Sequence, residues 1–189
     1  MIIRCFLISV LLVFSACSED ESIPRPRGYF RIDLPKHEYK LYSETCPFSF
    51  DIPVYSGMRP GSADGSQPCW LNIVFPELKA TLHLSYRNIE GNLSSLTEDS
   101  RNMAYKHTVK ASGIAETIYE DEENRIFGLL YEINGNAASP LQFHATDSTS
   151  HFLRGSLYFN SAPNADSLFP VSNFLKEDVK HLISSLRWK

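Results

Sequence analysis

The chain of 189 residues carries no G-x-S-x-G, H-E-x-x-H or C-x-x-C motif and no phosphate-cradling glycine loop. Those are the short patterns that hold a nucleophile, a zinc ion, a redox dithiol or a nucleotide on one local turn. Excess positive charge is missing too. With 18 Lys and Arg against 22 Asp and Glu, the net charge is −4, and nothing draws the chain generally to nucleic acid phosphates. Beyond residue 17 no apolar run reaches the roughly 18 residues of a membrane-crossing helix, so no internal span is expected. There is no internal repeat and no low-complexity tract. Aromatics are plentiful, with 12 Phe and 9 Tyr, which favours strands over a helical bundle.

What is present begins with an address. Arg4 precedes an apolar run over residues 6–16, too short to cross a bilayer and suited to a secretory signal. The small pair Ser15 and Ala16 then meets Cys17, and Ser18, Glu19, Asp20 and Glu21 follow at once. Small side chains admit the backbone to a peptidase cleft, and the thiol is the atom that accepts a lipid. The stretch "FSAC" resembles a bacterial lipobox cut before Cys17, departing from it at Phe14, where Leu, Val or Ile is usual. The alternative is a conventional signal cut near Ala16. Each buried CH₂ of an acyl chain on Cys17 contributes about 0.8 kcal/mol to anchoring. The acidic residues after it resemble the surface-export tag of Bacteroidota lipoproteins, with a solvated tether as the other reading. Residues 1–16 are thus expected to be a lipoprotein signal, 17–28 an acylated Cys and extended tether, and 29–189 a single globular domain. Two prolines in "SIPRPRG" keep residues 22–28 out of helix and sheet.

Within the folded part, alternation predicts strands at 29–32, 48–55, 70–75 and 81–86, with Phe48, Phe50 and Ile52 on one face and Leu82 and Leu84 on another. "SGMRPGSADGSQP" (56–68) reads as a surface loop. A helix is expected near 93–111. Ser95 and Glu98 stand at capping-box spacing, Leu96, Met103 and His107 form its stripe, and Glu98 and Asp99 complement the dipole at its start. Strand-like runs follow at 114–120, 125–134, 139–147 and 151–159. A last helix spans 171–186, with Val171, Leu175, Val179, Leu182 and Leu186 on its buried side. Without long βαβ alternation, the expected class is α+β, a mostly antiparallel sheet with two helices packed on it. That architecture is similar to the PsbP/Mog1 type, an analogy that supplies no function.

Cys5 leaves with the signal, so Cys46 and Cys69 remain in an oxidising compartment. A bridge between them closes a loop of about 24 residues and contributes about 3 kcal/mol. If their strands formed a simple hairpin, the two would lie about 25 Å apart; a bridge therefore requires some other strand placement, and two buried thiols are the alternative. The best enzymatic cluster is "HATDSTSH", where His144, Asp147, Ser148 and His151 are metal or nucleophile candidates. Aligning the apolar faces pairs Phe143 with Leu153 around a turn at 147–149 and sends His144 and His151 to opposite sides of the sheet. Neither a metal nor a catalytic residue is expected from them, and no cofactor is implied. Asp147-Ser148-Thr149 and Asp166-Ser167-Leu168 resemble short O-glycosylation sites, at Ser148 and Ser167.

Several stretches together carry a wider resemblance: "PRPRGYFRIDLP", "CPFSFDIPVY", "CWLNIVFP", "LTEDSRNMAYKHTVKA", "GLLYEINGNAASPLQFHATDSTSHFLRGSLYFN" and "PNADSLFPVSNFLKEDVKHLI". In this order they resemble the gliding motility lipoprotein GldD family of Bacteroidota. The resemblance implies an envelope-anchored, non-catalytic accessory of gliding and of the linked type IX secretion machinery, with the outer membrane favoured over the inner. Its partners would be other envelope proteins of that machinery and the membrane itself. It transfers one functional position, the acylated Cys17. Two surfaces are expected to meet partners: the basic segment with Arg25, Arg27, Tyr29 and Arg31, and the hairpin tip around Asp147 and His151. The competing functions are a lipid- or glycan-binding module, which would show a large apolar cavity, and a hydrolase, which would show a cleft with two polar groups of strongly shifted pKa.

Overall fold

A computed structural model describes Gly28 and residues 31–189. The predicted signal, Cys17, Arg25, Arg27 and Tyr29 lie outside the described residues. Arg31–Lys189 forms one unit, built from β1 (Tyr39–Tyr42), β2 (Phe48–Pro53), β3 (Gly57–Pro60), β4 (Leu71–Phe75), β5 (Ala80–Asn88), α1 (Leu93–Tyr105), β6 (Ala111–Asp121), β7 (Ile126–Gly135), β8 (Leu141–Thr146), β9 (His151–Phe159), α2 (Ala165–Ser185) and β10 (Arg187–Trp188). The class is α+β, two helices packed on antiparallel sheets.

A seven-stranded sheet runs in the order β3-β4-β5-β9-β8-β7-β6, and a three-stranded sheet in the order β1-β2-β10. One face of the large sheet carries Ile73, Leu82, Leu130, Phe143, Leu153 and Leu157. It packs against Phe48, Phe50 and Ile52 of β2 and against Val171, Leu175, Val179, Leu182 and Ile183 of α2. The opposite face meets α1, where Ala104 joins Tyr131, Ile133 and Ala137 in a smaller apolar cluster. Each face of the sheet therefore carries a helix, but only the α2 side is a continuous hydrophobic core. Gly155 serves that core: a Cβ there would stand 2.1 Å from the Phe143 ring, so this position must stay small for Phe143 to lie flat across β9.

Several local expectations are corrected. Residues 31–38 form no strand, and the first strand is instead β1, paired with β2 from Tyr39↔Pro53 to Tyr42↔Phe50. The loop at 56–68 contains β3, an edge strand whose terminal Pro60 costs no ladder bond. Helix α1 stops at Tyr105 and passes into a 3₁₀ turn over Lys106–Val109. No Ser95–Glu98 box forms. Asn92 is the N-cap, without a side-chain cap bond, and no acid lies in the first turn, so Glu98 and Asp99 do not meet the dipole end. The buried stripe is Leu96, Ser100 and Ala104, while Met103 is 40% exposed. Small residues at the contact let the helix approach the ring of Tyr131. Helix α2 begins a full turn and more before 171. Asn164 accepts from the Ser167 N–H and Asp166 sits in the first turn, and Pro170 lies inside the helix.

Cys46 and Cys69 form a disulfide with Cα atoms 5.6 Å apart. The hairpin assumption fails because β2 and β4 belong to different sheets. Each Cys lies two residues before its strand, and the bridge joins the two sheets at that end.

Candidate functional site

The β8–β9 hairpin pairs Ala145 with Leu153 and His144 with Arg154. This register is two residues away from the Phe143–Leu153 pairing read from the sequence. An even slip keeps every side chain on its face, so His144 and His151 still point to opposite sides. At the tip, Asp147 is buried. Its Oδ1 accepts the N–H groups of Thr149, Ser150 and His151 at 3.0, 2.8 and 2.8 Å, and its Oδ2 accepts the Thr149 hydroxyl. Burial opposes its ionisation, but these donors outweigh burial and hold the carboxyl well below the usual carboxylate range. His151 stacks on Trp188 and shares a 2.7 Å hydrogen bond with the Tyr86 hydroxyl. Asp147 and His151 are thus fastened inside the fold, and Ser148, Thr149 and Ser150 are what the tip exposes. Ser148 has a φ of 66°. Ser167 is exposed in the first turn of α2, and Arg31 is exposed and paired with Asp33 at 3.1 Å. Among the described residues no three His, Cys, Asp or Glu side chains gather as a metal site.

A second cluster ties the segment that enters the domain to α2. Asp178, 3% exposed, accepts from Tyr39 at 3.0 Å and from the Tyr55 hydroxyl, and lies 2.7 Å from His37 Nδ1. Burial, then the Asp178 bond, pushes both tyrosine hydroxyls far above their ordinary pKa. The rings stack in a belt, His37 on Phe174 at 4.2 Å and Tyr39 on His181 at 3.7 Å. Sequence reading missed it because its members lie up to 141 residues apart.

The third feature is the sheet face under α1. Cross-strand pairing lines up Asn72, His83, Ser156, Gln142, Tyr131 and Glu116 in one row over six strands. The next row holds Ser85, Arg154 and His144. This face is polar: Tyr131, Gln142, His144 and Ser156 are buried, Asn72, Ser85 and Arg154 half-buried, and His83 and Glu116 exposed. Arg154 donates to Gln142 Oε1 at 2.9 Å, and His83 Nδ1 lies 2.7 Å from Asn72 Oδ1. Burial and then the Arg154 charge bring the His144 pKa down to about 4. Burial lowers His83 as well, and it lowers the Arg154 guanidinium. Between α1 and the β4–β5–β9 floor the face opens as a cleft of about 520 Å³. Trp70, Tyr158 and Met103 contribute its apolar walls, and Arg87, Ser95 and Asp99 its rim.

The model of the family described as gliding motility lipoprotein GldD matches residues 19–188. The chain belongs to that family. Membership makes it a lipoprotein of gliding motility, held at the cell envelope. No curated protein matches by sequence. Among solved structures, the solution structure of cyanobacterial PsbP (CyanoP) from Synechocystis sp. PCC 6803 is similar at 10% identity, covering 85% of this chain and 98% of that one with a TM-score of 0.49.

Proposed function

We propose that this family member is a non-catalytic accessory of the gliding machinery and of the linked type IX secretion apparatus. Acyl chains on Cys17 tether it to the outer membrane, and it holds other envelope proteins of that machinery in place. The observation that carries the reading is the family match over residues 19–188.

The test is a Cys17→Ser replacement in the producing bacterium, with palmitate labelling, membrane fractionation, spreading and secretion as readouts. The variant is expected to lose the label, leave the membrane fraction and fail in spreading and secretion. Wild-type spreading and secretion from an unlabelled, unanchored variant overturns the reading. In-cell crosslinking through the exposed residues 148–150 or through Arg31 is expected to capture envelope proteins of the same machinery.

A further inference from the structure

The unpartnered polar atoms of this domain are concentrated in one place. Among the described residues, the buried side-chain atoms without a hydrogen bond are Tyr131 Oη, Gln142 Nε2, His144 Nδ1, Arg154 Nε and Ser156 Oγ. All five belong to the α1-facing side of β7, β8 and β9. A buried polar group left unpaired costs about 1–3 kcal/mol, so five on one face are not incidental to packing, and the α2-facing core shows none. Two of the five residues, Arg154 and Ser156, line the cleft between α1 and β4, β5 and β9. Ser156 is 3% exposed. Arg154 carries a charge into this wall with one neutral partner, Gln142, and no ion pair with any described carboxylate. Ordered water satisfies hydrogen-bond donors but leaves a guanidinium without a counter-charge, which an anion supplies in a bidentate manner.

We propose that this cleft is a binding site for a small hydroxylated organic anion. Its acid group sits on Arg154, its hydroxyls meet Ser156, Asn72 and His83, and its body lies against Trp70 and Tyr158. The cleft volume of about 520 Å³ falls in the range of small-molecule sites, which combine apolar walls with a few convergent polar groups. His83 Nδ1 and Asn72 Oδ1 already bond each other at 2.7 Å, and Asn72 Nδ2 donates to the Pro60 carbonyl at 3.3 Å, so His83 Nε2 and the second amide hydrogen of Asn72 are what a hydroxyl can meet. The acid is either a carboxylate, as in a uronic acid, or a phosphate on a sugar. The site is independent of the accessory role, and neither stands or falls with the other.

The detergent-solubilised lipoprotein is titrated calorimetrically with glucuronate and with ribose phosphate, alongside glucose and ribose as their uncharged counterparts. At least one anion is expected to bind at millimolar concentration or below, about tenfold or more tighter than its neutral counterpart, as loss of a charge-assisted hydrogen bond requires. Whichever anion binds more tightly identifies the acid group. Arg154→Met is expected to remove that tenfold advantage. Because Arg154 is half-buried, a second variant leaves the floor intact: Ser95→Trp, on the exposed lip of α1, is expected to abolish binding by filling the cleft. No heat from either anion at millimolar concentration overturns the proposal, as does equal binding of the neutral sugars or binding unchanged in Ser95→Trp.

Discussion

His144 makes the acid stability of this domain depend on one buried ring. The side chain is 5% exposed, stacks on Phe152 with ring centres 5.4 Å apart, and has an Nδ1 without a partner. Burial first, and the Arg154 charge second, lower its pKa from 6.5 to about 4. The neutral ring is therefore the form the fold accepts, while the unfolded chain takes up a proton near pH 6.5. His144 contributes nothing to the pH dependence above that value. As pH falls from 6.5 toward about 4, unfolding is favoured by up to about 1.4 kcal/mol per pH unit, and the loss levels off at about 3 kcal/mol. Replacing His144 by Phe keeps the stack on Phe152 and removes both the titration and the orphan nitrogen. Urea denaturation of wild type and His144→Phe across this pH range isolates the effect as a difference in slope, because His83 and His107 are common to both. Wild type should lose about 3 kcal/mol more than the variant between the two ends. Parallel stability curves for the two proteins would refute the reasoning. The Asp147 contribution does not interfere. Its carboxyl is held below the ordinary 3.8, so the stability it adds is present above that pH and is lost only as the solution becomes more acidic still.

Two other perturbations probe the frame. Removing the disulfide with paired Cys46→Ala and Cys69→Ala changes should lower unfolding free energy by about 3 kcal/mol, given 23 residues of separation; chemical denaturation measures it, and an unchanged midpoint rejects the bridge as a stabiliser. Asp178→Ala strips the acceptor from Tyr39, Tyr55 and His37 at once. It should cost about 3 kcal/mol, and limited proteolysis should then cut first within residues 31–42. Resistance equal to wild type would mean that the aromatic belt alone holds the segment.

Much of the fold is legible in local pattern. Alternation in "TLHLSY" sets Leu82 and Leu84 against His83, and that division survives as core face and cleft floor. The spacing of Val171, Leu175, Val179 and Leu182 marks the face that α2 buries. Where reading fails, a tertiary contact overrides the local signal. In "SGMRP" glycine and proline hide β3, which exists because β4 offers it an open edge. Tyr39–Tyr42 becomes a strand because β2 lies beside it and Asp178 receives Tyr39. The stripe of α1 rotates from Met103 to Ser100 and Ala104 because the helix rests on a polar, ring-filled sheet face and not on a greasy one.

The sequence by itself determined the two faces of each strand, the antiparallel α+β class and the opposite orientations of His144 and His151. These follow from a side-chain period of two, which any even slip of register preserves. Only the tertiary structure decided which strands are neighbours. The order β4-β5-β9-β8-β7 sets Asn72, His83, Ser156, Gln142 and Tyr131 side by side. No local rule predicts that row, because β5 pairs with the distant β9, from Asn88↔His151 to Ala80↔Phe159, and leaves β8, β7 and β6 to follow in reverse order.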